Sequence, residues 1–107
     1  MANIYKNSKV DLTTTNITTL YTAPSATTAI VRSVLVSNDS SSESTITLTI
    51  TDSASAVFSV YKNESVGALS SEELLKQPLV VMESEILKVT AATGGRLHVV
   101  ASYLEVT

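Results

Sequence analysis

The chain has no cysteine, no tryptophan, one phenylalanine, one histidine, two prolines and three glycines in 107 residues. Each shortage removes a class of explanation. Without cysteine there is no disulfide framework and no thiolate nucleophile. A single histidine leaves zinc without its usual ligand set. Three glycines, none in a phosphate-loop pattern, cannot build a glycine-rich phosphate cradle. With aromatics at 5%, the interior has to be made from Val, Ile, Leu and Ala. No apolar run reaches the roughly 20 residues that a membrane span needs, so no membrane partner is expected. The opening segment MANIYKNSKVDL carries no apolar signal core, and synthesis in a cytoplasm without cleaved export is the expectation. Basic residues are scarce too. Seven Lys and Arg stand against ten Asp and Glu, a net charge of −3, and they are scattered. Phosphate tracking needs them clustered, so no nucleic-acid partner is expected.

What the chain does have is hydroxyls: 16 Ser and 15 Thr. Thr is β-branched and suits the wet face of a sheet. In Thr45 to Thr51, TITLTIT, Ile46, Leu48 and Ile50 alternate with threonines, which marks a half-buried strand. Ala29 to Asn38 and Arg96 to Val106 are apolar on both faces, a pattern of strands covered on both sides or by a neighbouring subunit. Shorter β-prone runs are Lys9–Leu12, Ile17–Thr22, Val57–Lys62, Leu79–Met82 and Ile86–Ala92. Pro24, the polar Asn38–Ser44 loop (NDSSSES, a hairpin tip by its composition), Glu83–Glu85 and Gly94–Gly95 punctuate them. Ser70 and Glu73 have capping-box spacing, but Pro78 and the β context favour a strand or turn over a helix there. The expectation is an all-β, single-domain antiparallel β-sandwich of about eight strands, jelly-roll or immunoglobulin-like, over residues 12–107, preceded by an extended arm at 1–11.

No motif carries chemistry. His98 lies mid-strand with no nucleophile or carboxylate motif beside it and reads as a surface or interface histidine. Asp39, Glu43 and Asp52 gather around a loop, yet their spacing fits no EF-hand, and a solvated loop tip is the simpler reading. Glu83 and Glu85 flank a turn serine and give no sign of a cleft between two carboxylates. Tyr5, Tyr21, Tyr61 and Tyr103 are either a sugar-stacking set or amphipathic core-edge residues. Asn63-Glu64-Ser65 has the form of a glycosylation site, of little meaning without export. No catalytic residue, cofactor or metal ligand is expected.

Three segments carry a family resemblance. TLYTAPSATTAIVRSVLVSN at Thr19–Asn38, ELLKQPL followed by VVMESEILKVTA from Glu73, and the closing SYLEV at Ser102–Val106 resemble the small β-sandwich virion structural proteins of marine tailed bacteriophages. Ser84 stands where that family often has Gly, and Ala23 where Val is usual. The pattern is structural, so it implies a location in the virion and no catalytic residues. It implies a non-enzymatic protein, foremost a capsid decoration or cement protein, with a head–tail connector, collar or tail-fibre component as the alternative. A host-glycan-binding module is a third possibility from another class. The implied partners are the major capsid protein or other virion proteins, and further copies of the chain as a homo-oligomer. The expected contact residues are Ile4 and Tyr5 in the arm, Val31 and Leu35 in the first doubly apolar strand, and His98, Val100 and Leu104 in the last.

Overall fold

A computed structural model describes residues 3–107. They form nine strands: β1 (Asn3–Leu12), β2 (Thr18–Thr22), β3 (Thr28–Asn38), β4 (Ser44–Thr51), β5 (Val57–Val66), β6 (Ser71–Glu73), β7 (Leu79–Val81), β8 (Ile86–Ala91) and β9 (Leu97–Val106). There is no helix among the described residues.

The strands make two antiparallel sheets. One, here the terminal sheet because it holds the first and last strands, has the order β1-β9-β3-β6, with β7 also paired to β3; the other, the threonine sheet, runs β2-β8-β4-β5. The pairings are nested: β4 with β5, β3 with β6 and β7, β2 with β8, β1 with β9. One long hairpin rolled over itself gives this order, which is the jelly roll and not the immunoglobulin sandwich.

The core between the sheets is aliphatic: Val31, Val34, Val36, Ile46, Leu48, Leu87, Val89, Leu97, Val99 and Ala101 are fully buried. The alternation TITLTIT holds over its first five residues, with Ile46 and Leu48 inward and Thr45, Thr47 and Thr49 turned away, but fails at the end of the strand, where Ile50 is half-buried and Thr51, expected on the wet face, is buried. The doubly apolar β3 has a different cause. Its register with β9 slips between Val31 and Ser33, leaving Arg32 as an extra residue. Such a bulge exchanges the two faces. Ala29 and Val31 point inward before it, and Val34 and Val36 after it. β9 has no such slip against β1, so its even-numbered apolar residues do face outward.

Three expectations need correction. Residues 3–11 are not an arm separate from the sandwich. They belong to β1, whose register with β9 runs unbroken from Asn3↔Val106 to Leu12↔Leu97; Met1 and Ala2 lie outside the described residues. The polar loop after Asn38 is not a hairpin tip, because β3 and β4 lie in different sheets. It folds around buried Asn38, whose Nδ2 donates to Ser42 O (2.8 Å) and Val66 O (3.1 Å) while its Oδ1 accepts from Ser40 N (3.0 Å). Val31 is a core residue, 0% exposed, and no partner can touch it. At the capping-box site a strand forms. Glu73 turns its carboxylate to the bulged strand, accepting from Val34 N (2.8 Å), Leu75 N (3.1 Å) and the Ser33 hydroxyl, so it is not free to cap a helix.

Candidate interaction surface

The outer faces of the two sheets differ in chemistry. On the threonine sheet, Thr47 faces Thr90, and Thr49 faces Lys88, which also neighbours Thr19. Hydroxyls and one ammonium run down the middle of that sheet, with exposed Val57 and Phe58 on its β5 edge.

On the terminal sheet, register places Tyr5 opposite Leu104, Leu104 opposite Ile30, and Ile30 opposite Val80. One apolar side chain from each of β1, β9, β3 and β7 thus forms a row across the sheet on its solvent side. Tyr5 is 74% exposed and Val80 52%. The parallel row four residues back along β9 is Lys9, Val100, Leu35 and Glu73. Between the two rows sits a polar strip of Asn7, Ser102 and Ser33, with the bulge residue Arg32 beside it. Arg32 makes no ion pair or hydrogen bond among the described residues. With Tyr5, Lys6, Asn7, Ser102 and Tyr103 it lines a shallow groove.

The next row holds His98, with Asp11 on β1 and Ser37 on β3 as its register partners. Its Nε2 lies 3.3 Å from Asp11 Oδ1 and its Nδ1 3.8 Å from Asp39 Oδ2. Both ring nitrogens therefore face carboxylates, an arrangement that links β1, β9 and the loop after β3.

Of the residues expected to make contacts, Tyr5, Leu35, His98, Val100 and Leu104 share this outer face. Ile4 does not: it stands opposite Glu105 on the inward side of β1, at the open end of the sandwich, and is 47% exposed. Ile30, Val80 and Arg32 are on the face and were not expected there. The bulge hid Ile30 and Arg32, whereas Val80 was legible as the middle residue of the short strand LVV.

The remaining candidates are not brought together. Asp52 caps its own turn, accepting from Ala54 N and Ala56 N at 2.9 Å. Glu85 Oε1 accepts from Met82 N at 2.8 Å. Among the described residues no group of three His, Cys, Asp or Glu could hold a metal ion. The tyrosines are dispersed. Tyr21 and Tyr103 pack between the sheets with ring centroids 4.2 Å apart, while Tyr5 is on the outer face and Tyr61 lies at the β5 edge of the core.

One charged cluster has a buried carboxylate and a half-exposed ammonium. Glu105, 5% exposed, accepts from the Tyr21 hydroxyl at 2.6 Å and pairs with Lys6 Nζ at 2.8 Å. The Lys6 and Tyr21 hydrogen bonds hold its carboxyl below the ordinary carboxylate range. Burial, then the Glu105 contact, raises the Tyr21 phenol well above its ordinary value. The hydrogen bond to Glu105 likewise raises Lys6. Every partner here is a fixed neighbour in the fold, so the cluster ties β1, β2 and β9 together at one end.

Solved structures share this architecture. The chain aligns over 98% of its length with 30% of a chain in the structure of infectious bursal disease virus Gx strain, at a TM-score of 0.57 and 13% identity. A chain of the Gt strain structure gives a TM-score of 0.51 and 11% identity over the same shares. At these identities the likeness is one of fold. The present chain spans under a third of the length of either viral chain. No family model and no curated protein matches the sequence.

Proposed function

We propose that this chain is a non-enzymatic structural protein of a virion, and specifically a subunit that decorates or cements a phage capsid through the outer face of its terminal sheet. The observation that carries the reading is the contrast between the two outer faces. The same short chain lines the middle of one sheet with threonine, leaving apolar Val57 and Phe58 at its edge, and crosses the whole width of the other with Tyr5, Leu104, Ile30 and Val80. A contiguous apolar row on the solvent side, exposed at both ends and half-buried at Leu104 and Ile30, is a mark of an interaction surface. The viral fold likeness and the phage resemblance of the sequence support the virion setting, and the phage affiliation rests on the sequence segments alone. The neighbours would be the major capsid protein or another virion protein, together with further copies of this chain.

The mechanism asks for no reacting group. A protein that binds only the assembled shell stabilises that state by linkage, by about 2.7 kcal/mol per site when its free concentration is a hundred times Kd. Bridging two shell subunits distributes that gain across their junction.

The test is quantitative mass spectrometry of purified particles. A copy number equal to the major capsid protein, or a simple fraction of it, is the expected result. A few copies per particle would move the chain to the neck, collar or tail. Absence from particles would overturn the virion reading. A sugar-binding module has less support, because the tyrosines that would stack on a glycan lie on different surfaces.

A further inference from the structure

The two sheets end in four edges, and only one is both long and regular. On the far side of the terminal sheet, β6 and β7 are three residues each with Pro78 between them. β2 has five residues and a register break after Thr19. β5 breaks register twice against β4 and has Asn63 at a φ of 55°. Short strands, proline and bulges are devices that keep edges from pairing, and charged side chains are another. β1 has only the last, in Lys6, Lys9 and Asp11; it is ten residues long with unbroken register, no positive φ and no proline, so any partner strand must match those charges.

Its open backbone groups can be identified. Asp39 N donates to Arg96 O, so even-numbered residues of β9 turn their backbone toward β3 and odd-numbered ones toward β1. Leu97 faces Leu12, and Leu12 O accepts from Gly95 N on the same side. Even-numbered residues of β1 therefore bond β9. Asn3, Tyr5, Asn7, Lys9 and Asp11 direct N–H and C=O to the open edge, where among the described residues only Asp11 O has a partner, Thr13 N at 2.9 Å.

We propose that this edge is the seam of a homodimer, in which β1 of two copies pair antiparallel about a two-fold axis at Asn7 and join the two terminal sheets into one. The inference rests on the reading of the chain as an assembling structural subunit. Charge and overlap set the register, since an axis on Tyr5 would pair only 3–7 of the described residues. Centring the axis on Lys6 or Lys9 puts two ammonium groups directly opposite, which is destabilising. A centre at Ser8 sets Lys6 against apolar Val10. Centred on Asn7, Tyr5 meets the second copy's Lys9 and Asn3 meets its Asp11, while Ile4 meets Val10 and Lys6 meets Ser8. No like charges oppose, and the bonded pairs are the residues with open backbone groups. Self-complementarity of this kind is what a two-fold interface requires, and it favours a second copy over a strand of another protein.

Sedimentation of the full chain tests this. The expected mass is twice 11.3 kDa. Asn7→Pro removes an N–H that points to the open edge, a position where proline is tolerated, and is expected to give a monomer with unchanged far-UV circular dichroism. The chain contains no cysteine, so Asn7→Cys reports the register without background. Bonded antiparallel partners sit about 5.5 Å apart at Cα, inside the span of a disulfide. Asn7→Cys is expected to form an interchain disulfide on oxidation, and Ser8→Cys is not. A monomeric wild type, a dimer that survives Asn7→Pro, or crosslinking through Ser8→Cys in place of Asn7→Cys would overturn the seam. If Asn7→Pro unfolds the chain, the cysteine pair decides. A monomer that is nonetheless abundant on particles would remove the seam and leave the structural role; a dimer absent from particles would do the reverse.

Discussion

Replacing Tyr21 with Phe removes one oxygen and keeps the ring that packs on Tyr103. The hydroxyl lost is the donor to Glu105, at 2.6 Å in a site where the carboxylate is 5% exposed. A hydrogen bond to a charged group contributes about 1.5–3 kcal/mol. Lys6 continues to hold the other carboxylate oxygen, so the lower half of that range applies, about 1.5–2 kcal/mol. For a domain of this size that lowers Tm by about 6–16 °C. The pH dependence separates this cause from a packing loss. The folded carboxyl of Glu105 is held below its ordinary 4.5, first by Lys6 and then by Tyr21. A depressed carboxyl contributes its stability in full above the unfolded value and loses it as pH falls through the folded one. Without the Tyr21 donor the folded value moves back toward the ordinary one. The gap between wild type and Tyr21→Phe should therefore be complete at neutral pH and narrow in acid below 4.5. Urea unfolding followed by far-UV circular dichroism, at neutral pH and at about pH 3, measures both. A gap of equal size at the two pH values would refute the reasoning and assign the loss to packing.

Ser84 adopts a φ of 67°, which favours glycine. Ser84→Gly should raise stability by about 0.5–1 kcal/mol, and a thermal melt showing no gain over Ser84→Ala would contradict it. Gly94 has no room for a side chain, since an added Cβ would stand 2.5 Å from Thr13 O. Gly94→Ala should cost about 1–3 kcal/mol, read from the urea midpoint. Leu104→Asp on the apolar row should weaken particle attachment at least about tenfold, or 1.4 kcal/mol, while Thr49→Asp on the threonine sheet should not; co-sedimentation with particles distinguishes the two.

Much of the fold was readable where the period of the side chains is also the period of burial. TITLTIT shows its inner and outer faces as far as Thr49, failing at buried Thr51, and the outward residues of β9 follow from simple alternation. Val31 was misplaced because an extra residue at Arg32 exchanges the faces, and no turn residue announces it. The segment NIYKNSKV looks like a loose arm because its partner is at the other end of the chain; Ser8 meets Tyr103 across 95 positions. Composition cannot report such a pairing. Glu105 shares its parity with buried Tyr103 and Ala101, so its inward position was legible, although its partners Tyr21 and Lys6 were not. Strand order was beyond periodicity altogether, and only the nested pairing separates the jelly roll from the immunoglobulin sandwich.

That nesting sets a timetable for the molecule. β4 and β5 are joined by the short turn at 52–56 and can meet before the rest of the chain takes part. Each pair farther out in the nest spans more of the chain, and the outermost, β1 with β9, pairs Asn3 with Val106. Pairings of such long range make folding slow. During synthesis the terminal sheet stays incomplete until the final residues of β9 are free of the ribosome. β1 then has no neighbour to align it, and its outer edge takes its straight form only after β9 has docked. Completion of the subunit thus precedes any use of that edge, and a half-made chain has no ordered strand to offer for assembly.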